Sequence, residues 1–372
     1  MRTKMFAVVA VGVLTLGAAA GCTDDDGATD SAGGGNTRAG TGGGKVGVIL
    51  PDTKSSQRWG TDDPKLLKAA FDAADVPVDI QNAQGDKVKF GQIADGMIAS
   101  GVKVLITVNL DSGTGKTVLN KAKAAGVKTI DYDRLTLNGG ADYYVSFDNV
   151  AVGKLQGEGL VKCLAAKKAE LPLVADLNGS PTDNNASEFK SGYDAVLQEK
   201  YDDGSYLKGP DQSVADWDND EAGTVFKEMW EQTNEQIDGV LAANDGLANA
   251  AIEILKKDKR NGDIPVTGQD ATVQGLQNIL AGDQCMTVYK RIKLEADAAA
   301  ELAIKLYKGQ KPVVEGRGVK DPESGSYVPA KLLPPTAIDK TNVNLVIKDG
   351  FAEKKAVCAG RFAALCKENG IK

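Results

Sequence analysis

Two acids and an arginine follow a short strand-like segment in the first half of this 372-residue chain. Residues 126–130 predict a buried strand, and Asp131, Asp133 and Arg134 come directly after it. Carboxylates accept hydrogen bonds and a guanidinium group donates them, so this set suits an uncharged ligand rich in hydroxyl groups. A solvated surface cluster is the alternative interpretation. The position at the end of a strand favours a ligand-binding site.

Side chains of the same kinds follow most of the other predicted strands. In open parallel sheets, ligands bind beyond the carboxyl ends of the strands, so we expect these side chains to line one cleft. Trp59 and Trp217 can cover the apolar faces of a sugar ring, and each keeps an indole N–H to donate. The strand-end segments are residues 51–59, 82–85, 109–115, 131–134, 178–185, 216–220, 243–246 and 268–270, with Lys290.

Strand and helix patterns alternate strictly along the chain after residue 45. Continuous apolar runs predict strands buried on both faces, and apolar residues at helical spacing predict the helices between them. This alternation predicts an α/β protein with two doubly wound parallel sheets. The predicted strands are residues 46–50, 78–80, 104–108, 127–130, 171–177, 239–242, 264–267 and 285–289, with a short extended piece at 213–215. The main predicted helices are residues 87–99, 117–125, 150–166, 186–199, 221–232, 247–257 and 273–281.

Composition excludes several classes of function. The formal charge is −7 and no dense cluster of Lys and Arg occurs, which argues against a nucleic-acid-binding protein. The chain has no histidine, the commonest general base and metal ligand, so we expect neither a catalytic site nor a metal or other cofactor. Paired carboxylates leave a glycoside hydrolase as the enzyme alternative. The segment 113–117 resembles a phosphate-binding loop, but Leu110 stands where that motif requires glycine, so a turn into a helix is the better interpretation.

The first residues predict export from the cytoplasm. Arg2 and Lys4 precede an apolar run at residues 6–16, and residues 19–22 are Ala, Ala, Gly and Cys. This site resembles that of bacterial lipoproteins, which implies a signal peptide at residues 1–21 and a lipid on Cys22. Residues 22–44 have the composition of a flexible tether. We therefore expect a protein anchored to the extracytoplasmic face of the membrane, with a conventional cleaved signal peptide as the alternative.

Four further cysteines permit two disulfides in an oxidising compartment, and three connectivities are possible. Cys358 and Cys366 are close enough in sequence to join the ends of a short C-terminal loop, which leaves Cys163 and Cys285. Metal binding is the alternative, but no CxxC pair supports it.

Eight segments spread over the chain resemble one family, the type I periplasmic-binding-protein-like solute-binding proteins of ABC importers, and among them the members that bind D-xylose. The segments are residues 57–59, 131–134, 144–149, 179–186, 243–245, 268–270, 286–290 and 346–351. The resemblance implies sugar contacts at Arg58, Trp59, Asp133, Arg134, Asp183, Asn185, Trp217, Asn244, Asp270 and Lys290. One departure is Ser213, where the family often has tryptophan, so glucose or another pyranose stays open as the ligand.

The same resemblance implies two lobes joined by a three-segment hinge, which close around a monosaccharide and present it to an ABC permease. The first lobe is expected at residues 45–147 and 291–330, and the second at residues 148–290 and 331–372. We expect a monomer that binds no nucleic acid and has no catalytic residues. A sugar receptor that reports to a membrane sensor is the rival interpretation, with the same cleft and a different partner.

Overall fold

The computed structural model describes residues 44–371, and six parallel strands form its larger sheet. The strand order is β12-β5-β4-β3-β1-β2, so the last strand to join comes from far along the chain. Every residue of β1, β3 and β5 is buried, as expected for parallel strands covered by helices on both faces. The elements are β1 (Val46–Leu50), α1 (Asp62–Asp72), β2 (Val78–Asn82), α2 (Lys87–Ala99), β3 (Val104–Thr107), α3 (Ser112–Ala124), β4 (Lys128–Tyr132), β5 (Tyr143–Phe147) and β12 (Ala330–Leu333).

A smaller parallel sheet of three strands, in the order β7-β6-β8, forms the second half of the fold. Its core lies between this sheet and the long helices α4 and α5, which bury Val152, Leu160 and Phe189. The elements are α4 (Asn149–Lys167), β6 (Leu173–Asn178), α5 (Asn184–Asp202), β7 (Leu207–Ser213), α6 (Asn219–Gln232), β8 (Gly239–Ala242), α7 (Asp245–Lys257), α8 (Val273–Ala281) and β9 (Thr287–Tyr289).

The remaining elements complete both halves. Helix α9 (Ile292–Tyr307) packs its alanine-rich face on the six-stranded sheet, and β13 (Thr336–Ile338) pairs antiparallel with β9. A short hairpin and three short helices follow or flank them. These are β10 (Val319–Lys320), β11 (Tyr327–Val328), α10 (Asn344–Lys348), α11 (Lys354–Val357) and α12 (Phe362–Glu368).

Seven of the described helices begin at a residue whose side chain accepts a hydrogen bond from a backbone N–H of the first turn. Such caps satisfy donors that have no partner within the helix, so they fix where each helix starts. The start of α3 at Ser112, capped by Asp111, places segment 113–117 inside a helix rather than in a phosphate-binding loop. The caps are Asp86, Asp111, Asp148, Asp183, Asp218, Asn244 and Thr272.

Two strand predictions are wrong. The extended piece expected at residues 213–215 is instead strand β7, Leu207–Ser213, which is partly exposed at the sheet edge and contains Gly209 and Pro210, so it shows no apolar run. The strand expected at residues 264–267 is reduced to a single bridge between Val240 and Val266. Pro265, which has no backbone N–H, interrupts that ladder.

Two disulfides join the four cysteines of the described part. Cys163 in α4 pairs with Cys285, and Cys358 pairs with Cys366. The favoured connectivity is therefore confirmed. The first bridge ties α4 to the segment that enters β9, across a sequence separation of 122.

The predicted signal peptide, Cys22 and nearly all of the tether at residues 22–44 lie outside the described residues. Within residues 44–371, no helix has the length and apolar character needed to cross a membrane. The bounds of the two lobes stay a prediction.

Candidate functional site

Loops that follow strands of both sheets meet around one small cavity. Its volume is about 30 Å³, close to the share of one water molecule in the liquid. All ten residues expected to contact a sugar lie in its lining, while their role in binding stays a prediction. The lining consists of Arg58, Trp59, Asp133, Arg134, Asp183, Asn185, Trp217, Asn244, Asp270 and Lys290, with Ser55, Ser56, Phe189 and Gln269.

Arg58 is fixed in place by carboxylates on two sides. Its Nε and Nη2 atoms donate to the two oxygens of Asp63, each at 2.7 Å, and Nη2 also donates to Glu295 at 2.5 Å. Its Nη1 atom donates to Asp133 at 2.9 Å. The Tyr132 hydroxyl donates to Asp63 at 2.6 Å. Because all five side chains are buried, the guanidinium group has little freedom to move.

Burial and neighbouring charges move the pKa values of these carboxyl groups in opposite directions. Burial raises the pKa of Glu295 to about 8, and the charge of Arg58 only partly opposes it. Burial also acts to raise the pKa of Asp133, but Lys290 and Arg58 together hold it below its ordinary value. At neutral pH we therefore expect an ionised Asp133 at the cavity and a protonated Glu295 behind Arg58. The ionised group is the better acceptor for a ligand hydroxyl.

Arg134 joins the first-sheet side of the cavity to the second-sheet side. Its Nε atom lies 3.1 Å from Asp183 Oδ2 in an ion pair. Nη2 donates to the Ser55 hydroxyl at 3.3 Å, and Nη1 donates to the carbonyl of Asn109 at 3.2 Å. The Trp217 indole N–H donates to the same Asp183 oxygen at 3.1 Å. A ligand that reaches this pair finds a donor and an acceptor side by side.

Two helices of the second-sheet side begin at the cavity. Asp183 caps α5 by accepting from the backbone N–H of Asn185 at 3.0 Å, and Asn244 caps α7 by accepting from Leu247 at 2.9 Å. The Asn185 amide then donates to Asp133 at 3.0 Å, across the cavity. Asp183 and Asn244 therefore cap helices and line the cavity at the same time.

Lys290 follows β9 and lies between two carboxylates. Its Nζ atom is 3.5 Å from Asp133 Oδ2 and 4.0 Å from Asp270 Oδ1. The hydroxyl of Ser56 donates to the other oxygen of Asp270 at 3.2 Å, which adds a second link between the two sides. Every cation of the lining thus has a carboxylate beside it. A neutral ligand preserves this balance of charge, whereas a charged one would disturb it.

Nε of Arg134 faces Asp183 in the ion pair without making a hydrogen bond, and two further polar atoms of the lining are buried with no hydrogen-bond partner among the described residues. They are Nε1 of Trp59, a donor, and Oε1 of Gln269, an acceptor. Buried polar groups in folded proteins are nearly always bonded, so each such exception calls for an explanation. A hydroxyl group can accept from the first and donate to the second.

The backbone is strained where it enters the cavity. Asp133, Trp217 and Asp270 have φ values of 63°, 57° and 104°. Residues other than glycine adopt such values at a cost of about 1–3 kcal/mol, and they concentrate at ligand-binding sites.

The family of the chain follows from comparison with known proteins. A sequence model described as a periplasmic binding protein domain matches residues 46–311. The chain belongs to this family. The D-xylose-binding periplasmic protein of Escherichia coli (strain K12) is 36% identical to it over 312 residues, which cover 82% of this chain and 90% of the relative. A multiple sugar-binding periplasmic receptor of Rhizobium radiobacter is 34% identical, covering 82% of this chain and 90% of its own length.

A solved structure agrees with this assignment. The carbohydrate transporter solute binding protein from Chloroflexus aurantiacus, in complex with D-glucose, matches with a TM-score of 0.75 and 29% identity, covering 84% of this chain and 97% of that one. The expected type I periplasmic binding protein fold is therefore confirmed. So is the identification as a solute-binding protein of ABC importers rather than an enzyme.

Sequence reasoning missed several residues of this periplasmic binding protein that line or support the cavity. Ser55, Ser56 and Gln269 lie within the strand-end segments but were not chosen as contacts. Phe189 belongs to the apolar face of α5, where a core role was the natural interpretation. Glu295 could have been identified from the sequence, because an acid on the apolar, buried face of α9 needs a buried partner.

Proposed function

We propose that this periplasmic binding protein captures a monosaccharide between its two sheets and delivers it to an ABC permease. Among monosaccharides, we propose that it binds D-xylose most tightly. The observation that carries the proposal is the lining of the cavity, where every cation is paired and two buried polar atoms still lack partners. Such a lining matches a neutral molecule with several hydroxyl groups.

Closure of the two halves around the sugar is the proposed mechanism. Three connections between the sheets, near residues 148, 290 and 334, provide the hinge. Asp133 and Arg134 come from the first-sheet side, and Asp183 and Asn185 from the second. A ligand held by both sides stabilises the closed form because the open form offers only part of its hydrogen bonds. The permease then recognises the closed form.

The preference for D-xylose rests on relatives. Two proteins named for binding D-xylose, at 36% and 35% identity, match more than four fifths of the chain. A structural relative holds D-glucose, which makes this hexose the first competitor. The two sugars differ by a hydroxymethyl group at C5, so the space around that carbon decides between them.

Calorimetric titration of the purified protein with D-xylose, D-glucose, D-ribose, L-arabinose and D-galactose tests the proposal. We expect D-xylose to bind most tightly, with a Kd of about 1 μM or below, equivalent to about −8 kcal/mol. If D-glucose binds more tightly than D-xylose, D-glucose is the main ligand and the proposed role in import stands. If no monosaccharide binds with a Kd below about 1 mM, the sugar-binding proposal is wrong.

Delivery to a permease has a rival in signalling, which the receptor named among the relatives favours. Deletion of the gene separates the two roles. Loss of radiolabelled D-xylose uptake supports import, whereas normal uptake with a lost transcriptional response to D-xylose supports a receptor.

We also propose that the protein is anchored by a lipid on Cys22 at the extracytoplasmic face of the membrane. Residues 19–22 and the polar stretch after them support this proposal. Labelling of cells with radioactive palmitate should mark the wild-type protein and fail to mark Cys22→Ser, which should leave the membrane fraction. A membrane-bound, unlabelled wild-type protein would contradict lipidation.

A further inference from the structure

A second cavity adjoins the first at the Arg134–Asp183 ion pair. It measures about 340 Å³, against about 30 Å³ for the first. The two cavities share Ser55, Arg134, Asp183 and Trp217. The ion pair therefore separates two adjoining spaces, and only the second of them has room for a whole sugar ring as the structure stands.

Both halves of the fold contribute walls to the second cavity. The loops after β1, β2 and β3 provide Thr53, Gln84 and Leu110, and the loops after β6 and β7 provide Thr182 and Asp216. The whole lining holds four carboxylates and three cations together with hydroxyl and amide groups, and the cations are Lys54, Lys87 and Arg134. Leu110 and the indole of Trp217 add the apolar surface that covers a sugar face.

The backbone around the second cavity is also strained. Gln84 and Asp216 have φ values of 60° and 52°, and Trp217 continues the strain at 57°. Two consecutive left-handed residues other than glycine are costly, and such strain concentrates at ligand-binding sites. Within residues 44–371, no side-chain hydrogen bond engages the carboxylate of Asp216, which leaves it free to accept from a ligand.

A third cavity, of about 560 Å³, also adjoins the first, with which it shares Ser55, Ser56, Asn244 and Asp270, and is the competing location. Its walls come mainly from α6, α7 and residues 270–274 of the second-sheet side, with Glu253 and Lys257 among them. The first-sheet side reaches it only through residues 54–57. A ligand unit in the second cavity contacts more loops of both sides, so its binding adds more to closure.

We propose that the second cavity is a subsite for a further sugar unit, so that the ligands include neutral disaccharides whose terminal unit is bound by the residues that line the first cavity, which has to widen to admit a sugar ring. This inference rests on the proposed sugar-binding function and extends its ligand class from single sugars to short glycosides.

Titration of the full-length protein with two matched pairs tests the subsite: D-xylose with xylobiose, and D-glucose with cellobiose. Thr182→Trp fills the second cavity from an exposed loop position. In the described part of the chain, the Thr182 hydroxyl makes one side-chain hydrogen bond, with the hydroxyl of Ser180. Glu253→Trp is the matched control in the third cavity, at an exposed position whose one ion pair within residues 44–371 is with Lys256. Leu110→Trp blocks the second cavity from the opposite wall if Thr182→Trp fails to fold.

We expect one disaccharide to bind within about tenfold of its monosaccharide. Thr182→Trp should weaken disaccharide binding by about thirtyfold or more and change monosaccharide binding by less than about threefold. Glu253→Trp should leave both unchanged.

Three results would overturn the inference. If a monosaccharide binds and neither disaccharide does, the subsite is wrong while the sugar-binding function stands. If the disaccharide is affected by Glu253→Trp alone, or by neither cavity variant, its second unit lies elsewhere. If no sugar binds at all, the proposed function fails and the subsite with it.

Discussion

The two sides of the central cavity hold their side chains by different means. On the first-sheet side, Arg58 is held by the carboxylates of Asp63 and Asp133 and by the protonated carboxyl group of Glu295 in a buried network. On the second-sheet side, Asp183 and Asn244 are held because they cap helices. The first arrangement depends on charges that come from distant parts of the chain, and the second on local backbone geometry.

Because of this difference, the two sides of the cavity contribute unequally to the stability of the fold. Removing one member of a buried ionic network leaves its partners without compensation, so the fold itself suffers. Removing a cap costs one hydrogen bond at a helix end, which is a smaller loss. We therefore expect substitutions on the first-sheet side to unfold the protein more readily than equivalent changes on the second.

The largest effect is expected for Arg58→Met. Three buried carboxyl groups lose their partner, and Lys290 alone cannot compensate them because it lies beside Asp133. The free energy of unfolding should fall by about 3–5 kcal/mol, measured by urea denaturation.

Lys68→Met provides the control, because it removes a similar ion pair with Asp72 from the surface of α1. That pair should contribute at most about 0.5 kcal/mol. Equal losses in the two variants would show that the buried network is no more important to stability than a surface pair.

A smaller effect, on binding rather than on stability, is expected for Arg134→Ala. This substitution removes the ion pair with Asp183 that joins the two sides of the cavity. Asp183 keeps its bonds from Trp217 and the backbone of Asn185, so the fold should change little. Binding of the monosaccharide should weaken about 10- to 100-fold, the loss typical of a hydrogen bond to a charged group. Titration calorimetry measures this loss, and unchanged affinity would place the ligand elsewhere.

The difference between the walls also decides what could be predicted from sequence. The strands β1 and β3 are continuous apolar runs, and Asp183 and Asn244 directly precede helices, so local patterns predict them. The partner of Arg58 at Glu295 lies 237 residues away, and no local pattern identifies such a pair. Strand β7 was missed for a related reason, since its exposed edge position removes the apolar signal.

A third test uses the pKa of Glu295, which burial raises to about 8. In the unfolded chain a glutamate titrates near about 4.3, so between about pH 4.3 and 8 the folded protein binds more protons than the unfolded chain. This group therefore contributes stability below that range and loses the contribution as pH rises through it. Glu295→Gln removes the dependence while preserving the shape of the side chain.

The stability of Glu295→Gln relative to wild type should therefore increase from pH 5 to pH 8 in urea titrations. Burial also raises the pKa values of Asp131, Asp176 and Asp245 to about 7. As pH rises, these groups lower the free energy of unfolding equally in both proteins, so their contributions cancel in the difference. A constant difference across the range would mean that Glu295 is ionised in the fold.

A smaller effect on stability than that of Arg58→Met is expected on the second-sheet side, at Asn244. Asn244→Ala removes the cap of α7 and should cost about 1 kcal/mol. Asn244→Ser keeps an oxygen that accepts from the Leu247 N–H, so stability should return to nearly that of wild type. The serine lacks the amide N–H₂ that the asparagine can offer a sugar hydroxyl, so affinity should remain reduced. If Asn244→Ser recovers both stability and affinity, Asn244 affects the cavity only through the helix that it caps. The second-sheet side would then act through local backbone geometry alone, which makes its difference from the charged first-sheet side sharper.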